Sequence, residues 1–500
     1  MTEGASTDGR GRWFALYVLC LGSLMIVLDT TIVGVALPSI RTDLDFSEAS
    51  LAWVVNGYLL TFGGFLLLGG RLGDLFGHRR LFICGITLFT LASLGCGLAG
   101  SRGVLIGARA VQGLGGAVVE AVALSLMINL FTEPAERAKA MGLYGFVASG
   151  GGSLGVLLGG VLTNSLDWHW IFLVNVPIGV LVVALSPRLV PGGRSELAGG
   201  RLDVAGALTV TGSVMLAVYA VVNGNQQGWT SAQTLGLFAA AGVLLAGFLA
   251  VEARVSTPLV PLRLFGLRRV ATANVVGVLW AAAMFAWFFL TALYLQLVLG
   301  YSPLQVGLAF LPGNLIMAAF SVALSAKLVT RLGVRLPLVA GLALATTGLA
   351  LFARAPVGGS FAVDVLPSMI LLGVGAGMAL NPVLLAAMSD VAPAESGLAS
   401  GMVNTSFMLG GALGLAVLAG VAASRTDHLL GSGESRLAAL SGGYHVAFLV
   451  AAGFSAAAAA LGAVLLGAGR EAAERRAEAA SVHACVRPGR SVPRLERSTA

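Results

Sequence analysis

The chain has 500 residues, of which 57% are hydrophobic and 11% charged, and it carries a net charge of +7. Soluble domains hold about 25% charged residues, so a body this apolar would have no surface to present to water. A soluble enzyme is excluded, and so is a nucleic-acid-binding domain, which needs a basic face on a water-soluble fold.

In chain order the apolar runs are 13–37, 51–70, 81–100, 103–131, 138–162, 170–187, 204–222, 233–252, 271–298, 304–327, 335–353, 365–388, 397–423 and 443–468. A bilayer core takes about 20 apolar residues per helix, and backbone groups without water must pair within their own segment. The runs therefore predict fourteen membrane-spanning helices in an all-α integral membrane protein. A β-barrel would need short alternating segments, which are absent. The first run follows Arg10 and Arg12 as a signal peptide would, but it is long, contains Asp29 and lacks a small-residue cleavage site. It is expected to stay as an uncleaved first helix.

With fourteen spans both termini share one side. The loops of that side hold 24 Lys and Arg residues, against five on the other. The positive-inside rule makes the basic side cytoplasmic. The net charge is thus a topology signal, and 1–12 and the Arg-rich tail 469–500 are expected in the cytoplasm, the tail disordered. Between runs 2 and 3 lies RLGDLFGHRR (71–80), which KLVTRLGVRL (327–336) matches at an offset of 256. The offset makes run 9 the counterpart of run 1. It divides the chain into a six-helix half (13–187), two additional helices with linkers (188–270) and a second six-helix half (271–468).

Three ionisable residues lie well inside spans: Asp29, Arg109 and Glu120. An intramembrane charge costs at least about 2.5 kcal/mol, so it is usually functional and partnered. At 1.5 Å per residue Asp29 lies about 12 Å from the outer end of its helix and Arg109 about 9 Å from the outer end of its own. The two can pair across the bundle, either as a coupling-proton site tuned by Arg109 or as a static pair that fixes packing. Glu120 is about 16 Å from Arg109 along one helix face. It either attracts a cationic substrate, or is a second proton site, or is a protonated acid hydrogen-bonded within the bundle. Polar candidates for a substrate cavity are Gln112, Asn56, Tyr58, Gln296, Asn314, Asn381 and Asn404. Each has the alternative fate of bonding a neighbouring helix. Trp280, Phe285, Trp287, Phe288 and Phe289 cluster on run 9, as a stacking wall or as a lipid face. On run 5, Gly151, Gly155 and Gly159 repeat at four residues, a pattern that lets helices approach closely.

VLDTTIVGVALPSI (27–40), GRLGDLFGHRRL (70–81), RAVQGLGGA (109–117), WIFLVNVPIG (170–179), YLQLVLGYSPLQVGLAFLP (294–312) and SGLASGMVNTSFMLGGALG (396–414) together resemble the fourteen-helix drug:proton antiporters of the major facilitator superfamily. The glycine series Gly142, Gly151, Gly155, Gly159 and Gly160 is similar to the exporter motif of helix 5. The chain departs from these patterns at Val156 for Pro, Leu75 for a basic residue, and His78 and His169 for Arg. The resemblance implies a bacterial cytoplasmic-membrane exporter of small drugs. It also implies a cytoplasmic latch of Asp74 with Arg71, Arg79 and Arg80, and a sealing role for the helix-5 glycines. It is silent on Glu120. An importer or metabolite exchanger of the same fold is the alternative.

No HExxH, Walker, CxxC or Ser/His/Asp grouping occurs within the spans, so neither enzymatic chemistry nor ATP drive is expected. No cofactor or metal is implied, only protons as coupling ion. The expected partners are a small-molecule substrate and the lipid bilayer, with no nucleic acid and no obligatory protein.

Overall fold

The computed structural model describes residues 9–131, 133–191, 203–255, 258, 262–388, 391 and 396–465. Each of the fourteen apolar runs is helical. The helices are α1 (Gly9–Asp43), α2 (Glu48–Phe76), α3 (His78–Gly97), α4 (Arg102–Leu130) and α5 (Pro134–Ser165), then α6 (Trp170–Leu189), α7 (Val204–Gln227) and α8 (Ala232–Glu252). They continue with α9 (Arg268–Val298), α10 (Pro303–Ala319, running on through a π-turn into Ser325–Leu332), α11 (Arg335–Phe352), α12 (Phe361–Met388), α13 (Ser396–Gly431) and α14 (Arg436–Leu465). No strand occurs among the described residues. Ten of these helices are long and apolar enough to cross a membrane, and the described parts of α2, α5, α7 and α10 contribute shorter apolar helices. The tail 469–500 and most of the linker between α6 and α7 lie outside the described residues.

Local sequence sets the helix ends. Ser47, Ser101, Ser231 and Ser302 each accept a backbone N–H of the following first turn, and Gln305 completes a capping box with Ser302. Gly77 and Gly333, which the repeat places on one another, end α2 and α10 with φ of 91° and 75°. Each donates its N–H back to the helix it closes, to Gly73 O and Val329 O, in a conformation that costs glycine no side-chain clash.

The end of the bundle where α1 starts is the near end, and the end where it finishes is the far end. In the first set of helices α1 packs on α5 and α6, and α4 on α2 and α3. In the last set α9 packs on α13 and α14, and α11 on α12 and α14. The sets meet where α5 crosses α10 and where α2 crosses α13. The pair α7–α8 stands beside them, with α7 against α2 and α13. One apolar cluster joins Ile32–Ile40 of α1 and Leu51–Val54 of α2 to α9 and α10, so the far end is packed shut across both sets. On its outside α8 exposes Leu235, Val243, Leu245 and Leu249. A contiguous apolar face of that kind is tolerated in lipid.

Candidate functional site

Asp29 sits in the far half of α1 with none of its surface exposed, facing α4, α3 and α6. Arg109 on α4 donates from Nη1 to Asp29 Oδ2. One turn along α4, Gln112 donates from Nε2 to Asp29 Oδ1 at 2.7 Å and accepts from Arg109 Nη1 at 2.7 Å. Asn175 of α6 donates to the same Oδ1 at 3.2 Å. Ser93 of α3 binds the shell together. It accepts from Gln112 and Asn175, both at 3.1 Å, and donates to Phe172 O at 2.9 Å. Arg109 is 1% exposed. Its Nε donates to Val54 O at 3.0 Å, and its guanidinium lies over the Tyr58 ring at 4.4 Å and the Phe172 ring at 5.7 Å. Every charged atom of the pair therefore meets an opposite charge, a dipole or an aromatic face, which is what allows two charges so far from water. The carboxylate of α1 is bonded from α4 and α6, and α3 joins through Ser93, so a change in its charge reaches all four helices.

Glu120, further along α4, does not join this network. Tyr144 of α5 donates to Glu120 Oε1. Ser23 Oγ of α1 lies 3.2 Å from Glu120 Oε2 and 3.2 Å from Tyr144 Oη, with one proton to give. Glu120 and Tyr144 are partly exposed, unlike the sealed Asp29 shell.

The remaining sequence candidates are dispersed. Gln112 belongs to the Asp29 shell. Asn56 and Tyr58 are fully buried, and among the described residues neither the Asn56 amide nor the Tyr58 hydroxyl has a hydrogen-bond partner. Gln296 donates to Val35 O at 2.8 Å, tying α9 to α1 at the far end. Asn314 is buried, Asn381 donates to Ser321 O at 3.0 Å, and Asn404 is exposed. The aromatics of α9 turn inward: Trp280, Trp287 and Phe289 are buried, and Phe288 stacks on Phe310 of α10 at 5.6 Å. Packing between helices, not lipid contact, occupies them.

On α5 a methyl group placed on Gly155 would meet Leu28 O at 2.9 Å and the Thr31 hydroxyl, and one on Gly159 would meet Ile32 O at 2.7 Å. Gly151 likewise abuts Leu24 and Val27. These glycines are the groove in which α1 lies. Gly160 faces the other way, 2.8 Å from Pro303 O by the same measure, and Gly307 of α10 answers it against Val156 O at 2.9 Å. Gly142 lies within α5; its surroundings and the side chains of Arg71 and Asp74 are outside what the structure describes. Arg79 reaches Pro187 O at 3.5 Å and Val190 O at 3.4 Å, where it satisfies orphan carbonyls at the end of α6. Arg80 is exposed.

Ser93, Asn175, Ser23 and Tyr144 are the participants that sequence reasoning missed. Asn175 carried a signal, since it is a lone amide within the WIFLVNVPIG stretch. A serine in an apolar helix gives none, because it can satisfy itself on its own backbone, and a tyrosine can set its hydroxyl at the lipid interface.

The family model of the Major Facilitator Superfamily matches residues 19–415. The puromycin resistance protein of Streptomyces alboniger is 40% identical over 486 residues, covering 95% of this chain and 96% of that protein. The cephamycin export protein of Amycolatopsis lactamdurans is 40% identical over 433 residues, covering 85% and 89%. Among solved structures, a POT family transporter superposes with a TM-score of 0.67 at 16% identity, over 93% of this chain and 99% of that one.

Proposed function

The chain belongs to the Major Facilitator Superfamily, and from that premise we propose that it is a proton-coupled exporter of small hydrophobic or cationic drugs, working by alternating access across the bacterial cytoplasmic membrane. In this reading all fourteen helices span the bilayer and the near end, with both termini, is cytoplasmic. The 24-to-five partition of basic residues supports that orientation. So does the Arg12–Glu136 ion pair of 3.1 Å, which joins the starts of α1 and α5 at the basic end. Residues 13–187 and 271–468 form the two moving halves, and 188–270 supplies the added helices and linkers. The shut far end corresponds to a carrier closed to the outside.

The observation that carries the reading is Asp29, a carboxylate sealed from water and joined to α4 and α6 by Arg109, Gln112 and Asn175. A proton arriving on Asp29 cancels its charge and converts one of its acceptor oxygens into a donor. Arg109 then loses its counter-charge, and the bonds that clamp α1 to α4 and α6 weaken together. Because α1 also lies in the α5 glycine groove and touches α9 through Gln296, a shift of α1 reaches the seams that keep the far end shut. Release of the proton on the cytoplasmic side restores the clamp. Asp74, Arg71, Arg79 and Arg80 are the proposed cytoplasmic latch. Export of this cargo class is supported by the relatives, one named for puromycin resistance and one for cephamycin export.

The test is flux in proteoliposomes under an imposed pH gradient, with puromycin and cephamycin as first cargoes. The wild type is expected to move drug against the proton flow, and an uncoupler to abolish it. Asp29→Asn leaves the Arg109 charge without its partner and is expected to lower Tm, and the protein that remains folded is expected to lose gradient-driven flux. Undiminished drive in that variant sinks the proton role. Drug moving with the protons favours an importer instead.

A further inference from the structure

Glu120 is the one intramembrane charge that the proton cycle above leaves unused. Among the described residues no Lys, Arg or His pairs with it; it is held by the Tyr144 and Ser23 hydroxyls. An acid inside a bilayer is kept only where it has a partner or a task. Two neutral donors fill one acceptor position on each carboxylate oxygen and leave others open, and the group is partly exposed. Its depth differs from that of Asp29. Counting along α4, Arg109 lies about 10 Å from the far end and Glu120 about 15 Å from the near end. Glu120 is therefore the carboxylate reached first from the side at which an exporter collects its load.

We infer that Glu120, with Tyr144 and Ser23, is the docking point for the positively charged nitrogen of the cargo, and that the cargo class with highest affinity is an organic cation carrying N–H donors. This rests on the export reading above. The carboxylate supplies the charge and two acceptor edges. Tyr144 supplies a ring beside the incoming cation, a favourable face for it. The site stands on α1, α4 and α5, and two of these also carry the Asp29–Arg109 pair. Ser23 is six residues before Asp29 on α1, and Glu120 is eleven after Arg109 on α4. A cation that draws Glu120 away from Ser23 loosens α1 from α4 at the near end, and a proton on Asp29 loosens the same two helices near the far end. Cargo and proton would thus act on one shared seam.

The test measures binding to the purified full chain with no gradient, using ethidium as a flat cation with N–H groups and chloramphenicol as an uncharged drug. Ethidium is expected to bind the wild type. Glu120→Gln should weaken it by at least about tenfold, the scale of a lost charge-assisted hydrogen bond, and leave chloramphenicol binding within about threefold. Tyr144→Phe removes a donor from Glu120 without removing charge, opens an acceptor position for the cargo and should tighten ethidium binding; weaker binding in that variant overturns the inference. It also serves where Glu120→Gln does not fold. A wild type that does not bind ethidium overturns the inference, as does a Glu120→Gln variant with unchanged ethidium affinity. Loss of both drugs in Glu120→Gln together with loss of drug-linked proton uptake assigns Glu120 to the proton path instead. Ethidium that binds through Glu120 but is not carried in vesicles would leave the docking site standing and remove the export reading.

Discussion

Between α1 and α6 polar groups form two networks, Asp29 with Arg109, Gln112, Asn175 and Ser93, and Glu120 with Tyr144 and Ser23. Between α9 and α14 they occur as separate contacts: Ser406 donates to Asn274 at 2.7 Å, Asn381 to Ser321 O at 3.0 Å, and Ser455 to Leu342 O at 3.0 Å. None of the six apolar runs from 271 to 468 contains an Asp or Glu. The backbone seams, by contrast, are alike. A methyl group on Gly159 would meet Ile32 O at 2.7 Å, and one on Gly341 would meet Gly375 O at 2.7 Å. Two helix sets can therefore share a packing chemistry while only the first holds carboxylates within its apolar runs. A carrier needs two bodies that move against each other, but it needs a charge switch in only one of them.

The widest separation between the sets is expected from Arg109→Ala. It strands the Asp29 carboxylate in a sealed site, and breaking a buried pair from one side costs about 3–5 kcal/mol. Thermal unfolding in detergent should show a large fall in Tm. The double variant Asp29→Asn with Arg109→Gln should recover much of that fall, because no uncompensated charge remains, without regaining gradient-driven flux. If Arg109→Ala is as stable as the wild type, the pair is not what holds α1 to α4.

A smaller effect, expected to be equal on the two sides, is the cost of a side chain in each glycine seam. Gly159→Val and Gly341→Val each push a branched side chain onto a neighbouring carbonyl, and overpacking of this kind costs about 1–3 kcal/mol. Matched losses of Tm would show that the sets differ in charge and not in packing. A loss confined to Gly159→Val would break the comparison, making the α1–α5 groove tighter than the α11–α12 seam.

Much of the architecture was legible because lipid imposes one rule on every span. The apolar runs and the repeat that sets Gly77 on Gly333 carry that rule in plain sequence, and all fourteen runs are helical within the described residues. Asp29 and Arg109 were legible as a pair, since their depths could be counted from helix rise and a buried charge demands a partner. The shell around them was not. Ser93 and Asn175 are single polar residues whose importance depends on which helix faces which, and periodicity within one helix does not specify its neighbour. Asn56 shows the converse. Its amide in an apolar run reads as a cavity residue, yet it is fully buried and has no hydrogen-bond partner among the described residues. The seven-residue interval puts it on the face of α2 that carries Gly63, and Gly63 packs on Met408 and Leu409 of α13. One helix sequence does not reveal that covering partner.

The smallest expected effect concerns Asn274. This residue is 3% exposed, donates to Val270 O within α9 at 2.8 Å and accepts from Ser406 of α13 at 2.7 Å. It is the nearest that the last six helices come to the Asn175 position: an amide bridging two helices, here without a charge to serve. Removing it in Asn274→Ala breaks one interhelical hydrogen bond, and such bonds in membrane helices average about 0.6 kcal/mol. Ser406 loses its acceptor but can turn its hydroxyl to a carbonyl of its own helix, as Thr426 does to Ala422 O at 2.9 Å, so little desolvation cost remains. Tm should fall slightly, and the ratio of protons taken up to drug carried should not change. Asn175→Ala removes a donor from Asp29 and should change that ratio. If the ratio shifts in Asn274→Ala instead, proton coupling is shared by both helix sets, and the division between a switched body and an unswitched one does not hold.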